Sequence, residues 1–172
     1  AKDVQENGGT KNHLYLNSDF QPQICEKAVN IVQLNIFAPV RIKNFYMDAN
    51  MSLQHSTSPT VAVPLFAGKL YAAYCFRNRL RIQIGGDLMY NTLYYADGYN
   101  PILHQFYNQD KVKVGNYLYF DANITFQVDR IAFYVRAGNL LEGLISYKYF
   151  TTPYYPMQGR NFAIGITWRF YD

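Results

Sequence analysis

The sequence predicts an all-β protein, an antiparallel up-and-down transmembrane β-barrel with about eight strands in this chain. Three observations support this prediction. Apolar and polar residues alternate along many segments, the polar positions carry few charges, and the connections between segments alternate in length. Successive side chains of a strand point to opposite faces, so the alternation gives each strand two chemically different faces.

The clearest alternation lies near the C-terminus, in the segment 159–171. Small or polar residues occupy every second position there, among them Asn161, Thr167 and Arg169. The other positions carry bulky apolar residues that would share one face of a strand: Phe162, Ile164, Ile166, Trp168 and Phe170. This segment is expected to be a closing strand with a lipid face and a lumen face.

The same period recurs along the chain, most cleanly in 117–128 and 44–54. No helical period competes with it. Element boundaries predicted from sequence are uncertain by a few residues. The eight predicted strands are 13–20, 29–38, 41–55, 65–76, 80–96, 114–128, 130–142 and 159–171.

The connections between these strands alternate in length. Long ones lie at 21–28, 56–64, 97–113 and 143–158, and short ones at 39–40, 77–79 and around Asp129. Outer-membrane barrels have short periplasmic turns and longer extracellular loops, so the long connections are expected outside the cell.

A soluble lipocalin-like barrel has the same period with its apolar residues inside, and charge separates the two alternatives. A water-facing exterior should be rich in Lys, Arg, Asp and Glu, yet only 16% of the chain is charged. The polar positions hold mostly Asn, Gln, Thr, Ser, Tyr, Gly and Ala, which suits a hydrated lumen. The 17 tyrosines also suit the aromatic girdles of a membrane barrel.

The 172 residues are expected to form one barrel over 13–172, preceded by a flexible N-terminal tail or loop remnant at 1–12. No apolar run approaches the roughly 20 residues of a membrane helix. The start lacks a signal peptide, so we expect a mature form or a fragment. Cys25 would lie in a long outer loop and Cys75 near a periplasmic turn, so most of the roughly 30 Å hydrocarbon layer would separate them. A disulfide needs Cα atoms within about 7 Å, and we therefore predict two free thiols.

Charged residues at polar positions are the first candidates for function. They are expected in the lumen: Asp48, Lys69, Arg81, Asp87, Asp121, Arg130, Arg136 and Arg169. A modest positive excess could favour anions. Ion pairs that fill and stiffen a narrow interior explain the same residues, and we weigh that interpretation more heavily because the signs are mixed.

Aromatic residues in the two longest loops are the second candidates. They are Tyr99, Phe106 and Tyr107 in one loop and Tyr149, Tyr154 and Tyr155 in the other. Long ordered loops often carry function, so these rings could line a constriction or contact a ligand. Packing as a cap over the barrel mouth explains them equally well.

Several functional classes find no support in the sequence. His13, His55 and His104 are scattered without metal-ligand spacing, and no nucleophile elbow, phosphate loop or Cys-x-x-Cys is present. We therefore expect no enzyme, no cofactor and no metal. The net charge of +4 is dispersed, which argues against a nucleic-acid partner.

Short segments spread over 12–172 resemble the putative porins of Bacteroidetes, and specifically the C-terminal part of that family. The segments that carry the resemblance are 12–16, 22–23, 63–64, 69–71, 80–87, 95–101, 106–109, 149–150, 153–156, 159–162 and 165–170. The resemblance implies a cell outer membrane location in a Gram-negative bacterium, with outer-membrane lipid and the barrel-insertion machinery as partners. Members are longer than this chain, so it implies a C-terminal portion or a shortened relative.

The resemblance also implies that the aromatic terminal strand, Phe162 to Phe170, is the insertion signal; that it merely closes the sheet is the simpler alternative. The expected function is passive diffusion of small solutes. A closed structural or binding barrel, whose outer loops engage a ligand or partner, is the main alternative, and a segment of a larger multi-chain complex is another. Strand number separates these, because eight strands enclose a filled interior whereas sixteen leave a channel.

Overall fold

The computed structural model of the protein describes residues 9–10, 13–77, 80–144 and 150–170. All of its regular structure is β-strand. The strands in chain order are β1 (Gly9–Thr10), β2 (His13–Leu16), β3 (Pro22–Cys25), β4 (Val29–Ile42), β5 (Phe45–Ser56), β6 (Phe66–Arg77), β7 (Arg81–Asn91), β8 (Gly98–Asn100), β9 (Gln105–Tyr107), β10 (Tyr117–Val128), β11 (Ile131–Gly138), β12 (Phe150–Thr152), β13 (Tyr155–Pro156) and β14 (Asn161–Trp168). None of the described residues lies in a helix long and apolar enough to span a membrane.

One antiparallel sheet dominates the structure, in the order β1-β4-β5-β6-β7-β10-β11-β14. Apart from the two-residue β1, each strand pairs with the next long strand along the chain, as an up-and-down topology requires. Three two-stranded hairpins, β2-β3, β8-β9 and β12-β13, lie outside this sheet. The prediction of an all-β antiparallel fold is therefore confirmed.

Among the described residues the sheet is open, and they do not form a closed barrel. In the part of the chain that the structure describes, β14 pairs with β11 alone. β4, at the other side, pairs beyond β5 only with β1, at Val29 and Asn30. The predicted strand 13–20 does not close the sheet either, because its residues 13–16 form a hairpin with β3. Alternation over only four residues is compatible with a small hairpin as well as with a strand of a barrel wall.

The predicted turn at Pro39-Val40 is wrong, since both residues lie within β4 and the turn comes at Lys43-Asn44. Proline cannot donate a hydrogen bond, and strands tolerate it mainly at sheet edges. Pro39 pairs with Asp48 on one side, while its other side faces the open edge. Lys43 and Asp129 have positive φ in the two-residue turns after β4 and β10, a geometry that Asp adopts more readily than most residues.

The long and short connections lie at opposite ends of the sheet, as predicted. The short turns follow β4, β6 and β10, and the long loops follow β5, β7 and β11. We call these the turn end and the loop end. At the loop end the β2-β3 hairpin contacts the loop after β7, where the Asn108 N–H donates to the Leu16 carbonyl with an N to O distance of 2.7 Å.

The register gives the sheet one polar face and one apolar face. Cross-strand partners project to the same side. The apolar face carries such partners as Ile84 with Ile124 and Phe133 with Ile166. The polar face carries Asp87 with Asp121 and Asn123 with Arg136.

Burial is inverted relative to a water-soluble sheet. Ile164 and Trp168 on the apolar face expose 80% and 57% of their surface, whereas Asp121 on the polar face exposes 3%. The largest fully buried side chains among the described residues are Asn139 and Pro153. Burial of large apolar side chains is normally the main stabilising term of a soluble fold, and this sheet leaves them outside.

Close packing on the polar face explains why glycine occupies some of its positions. Gly165 pairs with Tyr134, whose ring lies over the glycine, so that a Cβ at Gly165 would overlap the ring. The tyrosine ring thereby covers backbone that the glycine leaves bare.

Candidate functional site

The charged residues predicted for the lumen lie together on the polar face. Asp48, Lys69, Arg81, Asp87, Asp121 and Arg136 all occupy positions of that face in the register. Arg169 follows β14, where its N–H donates to the Arg130 carbonyl at 3.0 Å, and the alternation assigns it to the same face. The structure brings these residues to one surface without testing what they do there.

Each carboxylate predicted for this face has a basic partner. Arg41 Nη2 lies 2.6 Å from Asp48 Oδ1, Lys69 Nζ 3.6 Å from Asp87 Oδ1, and Arg136 Nη2 2.5 Å from Asp121 Oδ2. Arg41 was not among the residues predicted for the lumen, and the register places it on the same face as Asp48. Each pair joins two neighbouring strands across the polar face, and a role of these charges in a barrel interior stays a prediction.

Arg81 has a different neighbour, because its Nε lies 3.4 Å from the sulfur of the buried Cys75. Gln83 and Tyr71 are joined on the same face, with Nε2 3.2 Å from the hydroxyl oxygen. Both cysteines are free thiols, as predicted. Cys75 lies near the turn end, and Cys25 ends β3 at the loop end.

The loop between β11 and β14 is tied to the polar face at Asn139. The Asn139 N–H donates to Asp121 Oδ1 at 2.9 Å, and its side-chain amide donates to the Gln158 carbonyl at 3.1 Å. Farther along, the Arg160 N–H and guanidinium bind the carboxylate and carbonyl of Glu142. Asn139 was not predicted as a site residue. The structure gives it a positive φ, which asparagine tolerates, so the residue type was the only signal in the sequence.

A cavity of about 540 Å³ opens on the polar face toward the loop end. Its wall includes Asn35, Phe37, Asn50, Lys69 and Tyr119. Met157, from the loop after β11, also lines the cavity. The Tyr117 hydroxyl donates to the Met157 sulfur at 2.8 Å and so holds this loop residue over the sheet. The sequence analysis did not single out this cavity, because its residues come from five strands and one loop.

Most of the aromatic loop candidates that the structure describes contact another ring. The Tyr99 ring lies 5.1 Å from Phe106 and 5.6 Å from Tyr155, so the two long loops touch. Tyr107 packs against Phe20 of the β2-β3 hairpin at 4.9 Å. Tyr154 is exposed, and Tyr149 lies outside the described residues. These contacts agree with the cap interpretation and leave the ligand interpretation untested.

Two polar residues that the sequence analysis passed over organise the loop after β7. The Gln109 amide donates to the carbonyls of Ala96 and Val112, at 2.5 and 2.8 Å. The Asn108 amide donates to the Pro59 carbonyl at 2.9 Å and to Asp97 Oδ1 at 3.3 Å. Burial raises the pKa of Asp97, against the opposing effect of the Asn108 hydrogen bond, and burial likewise raises the pKa of Tyr94.

The predicted insertion signal occupies the apolar face of β14. Phe162, Ile164, Ile166 and Trp168 are exposed there, and the Phe170 ring lies 4.7 Å from Trp168. Within the described ranges, no cluster of three or more His, Cys, Asp or Glu could hold a metal ion.

The profile of a protein family described as "Putative porin" matches residues 7–172. Neither a curated protein nor a solved structure matches the chain.

Proposed function

The chain belongs to the putative porin family, and on that premise we propose that it forms the wall of an outer-membrane β-barrel through which small solutes diffuse passively. The family indicates a channel of the outer-membrane β type. The apolar face would meet lipid, and the polar face would line the passage. Short turns would lie in the periplasm and long loops outside the cell.

The inverted burial is the observation that carries this proposal. An exposed row of Phe, Ile and Trp on β14 is unfavourable in water and favourable in hydrocarbon. The polar face, on the opposite side of the sheet, carries a nearly buried Asp121 and three ion pairs, which suits an interior that excludes lipid. Both features together are expected of a membrane barrel wall.

A binding barrel without an open passage is the second candidate. It is favoured by the contact between Tyr99 and Tyr155 and by Met157, which covers the polar face near the loop end. In that case the lumen would be filled, and the loops after β7 and β11 would engage a ligand or partner. A role as one segment of a multi-chain complex would use the open edges of β4 and β14.

Single-channel conductance tests the proposal. The 172-residue chain is folded from denaturant into detergent, checked for a heat-dependent gel shift, and added to a planar bilayer; protein boiled beforehand is the control. Stable ohmic steps from the unboiled protein alone are expected. A heat-modifiable protein without conductance would contradict the passage and favour the binding barrel.

A further inference from the structure

Phe37 is an apolar residue on the polar face of the sheet, as are Ile31 of the same strand and Met89 of β7. It occupies a polar-face position of β4, where Gln33, Asn35 and Arg41 are its neighbours of the same parity. Phe37 is 61% exposed. An exposed aromatic ring on the face that carries amides and charges contributes nothing to a lipid surface, so it needs another explanation.

The cross-strand partner of Phe37 is Asn50. Side chains directly opposite each other in an antiparallel pair lie close enough to contact the same small molecule. Within the described part of the chain, no protein group hydrogen-bonds the Asn50 side-chain amide, so its donor and acceptor both remain available. Asn35, on the same face, uses its carbonyl oxygen to accept from Gln33 at 2.9 Å and keeps its amide N–H groups for another partner.

The ring and the two amides meet in the cavity of about 540 Å³. Its other polar side chains are those of Ser52, Lys69, Tyr90, Asn91, Tyr117 and Tyr119. Asp87 binds the Lys69 ammonium at 3.6 Å, so the cavity offers little net charge to a ligand. Sites of this kind combine an apolar platform with a few polar groups that fix orientation.

Neutral sugars have the chemistry that matches this combination. One face of a pyranose ring presents C–H groups that pack on an aromatic ring, and its rim presents hydroxyls that both donate and accept. Side-chain amides also donate and accept, so they satisfy neighbouring hydroxyls without a charge. An ionised ligand would lack a counter-charge here, because Lys69 already has Asp87.

We propose that the polar-face cavity around Phe37 and Asn50 is a binding site for neutral hexopyranosides. The proposal deepens the proposed function and rests on it for its physiological meaning, since the site would lie along the passage near the outer mouth. Met157 and Tyr117 would cover the bound sugar.

Binding is measured by saturation-transfer NMR and titration calorimetry on the full chain folded in detergent. The neutral probes are maltose, lactose and mannobiose, and glucuronate is the charged comparison. We expect weak binding of at least one neutral disaccharide and none of glucuronate. Phe37→Ala and Asn50→Ala should each weaken binding by about two- to tenfold, the effect of losing one contact of this size.

Two control variants separate a specific site from a general change in the sheet. Phe37→Tyr keeps the ring and should restore binding, while Gln127→Ala removes a polar-face amide at the turn end and should leave binding unchanged. No neutral disaccharide binding, or equal losses in Gln127→Ala and Asn50→Ala, would overturn the site. Conductance without sugar binding overturns the site alone, and sugar binding without conductance overturns the passage alone.

Discussion

Arg136 holds the carboxylate of Asp121 from the neighbouring strand, with Nη2 2.5 Å from Oδ2, while the backbone N–H of Asn139 donates to the other oxygen. Asp121 is 3% exposed. One carboxylate therefore joins two strands of the sheet to the loop that follows the second strand.

Arg136→Ala should destabilise the folded protein by about 1–3 kcal/mol, because a buried carboxylate loses its charged partner. Arg41→Ala removes the partner of the more exposed Asp48 and should cost about 0–1 kcal/mol. Unfolding in urea from lipid vesicles, followed by tryptophan fluorescence, measures both free energies. Equal losses in the two variants would refute the anchoring role of Asp121.

Ile164→Lys should destabilise the protein in a bilayer by roughly 2–4 kcal/mol if the apolar face meets lipid, since charge near the membrane midplane is costly. Thr167→Lys places the same side chain on the polar face of the same strand and is the matched control. The gel-shifted fraction after folding into vesicles measures the effect. A lipid-facing β14 is ruled out if Thr167→Lys is the worse of the two.

Arg169→Gln should move the reversal potential in a salt gradient toward cation preference. The three ion pairs on the polar face balance Asp48, Asp87 and Asp121, whereas Arg81 and Arg169 are absent from those pairs. Arg169→Lys keeps the charge and should leave the potential unchanged. If Arg169→Gln and Arg136→Ala both leave it unchanged, the lumen charges serve structure alone.

Deletion of residues 168–172 should abolish assembly in the outer membrane if the end of β14 is the insertion signal. Trp168 pairs with Ile131 at the last position of the β11-β14 register, so the deletion removes only one cross-strand pair. Membrane fractionation and the gel shift of the cellular protein report assembly. Phe133→Thr, on the apolar face of the neighbouring β11, is the control, and normal assembly of the truncated chain would contradict the signal.

The loop after β7 should be more stable in acid than near neutrality, because burial raises the pKa of Asp97 above its ordinary value of 3.8. A raised pKa in the folded state means that this stabilisation is complete below 3.8 and is lost as pH rises through the folded value. Hydrogen exchange of β8 and β9 across this range measures it. Asp97→Asn should flatten the profile, Asp110→Asn should not, and an unchanged profile in Asp97→Asn would refute the assignment.

Alternation along the chain was sufficient to predict the faces of the long strands. In β10 every second residue is apolar, and the register places those from Leu118 to Phe126 opposite apolar-face residues of β7. Pro39 misled the prediction because a turn and an open sheet edge both accept proline. The segment 13–20 misled it because four alternating residues suffice for a hairpin as well as for part of a wall.

The candidate site was less predictable, because its contacts join residues far apart in sequence. Asn139 reaches Asp121, and Met157 reaches Tyr117, across loops whose conformation no local pattern specifies. In the sequence, Phe37 is only an apolar residue at a polar position of the segment 29–38, which alternates less regularly than 117–128 or 44–54. Its meaning depends on Asn50, which only the pairing of β4 with β5 places opposite it.

Under the proposed function, the number of strands that pair between the free edges of β4 and β14 determines the diameter of the passage. Each backbone N–H or C=O left unpaired in hydrocarbon costs roughly 2–7 kcal/mol, so neither edge can stay bare in a bilayer. Every further strand that pairs between these edges adds about 4.8 Å to the circumference. Hydrogen bonding along β4 and β14 therefore determines how large a solute can pass, and the side chains on the polar face determine which solutes of that size pass easily.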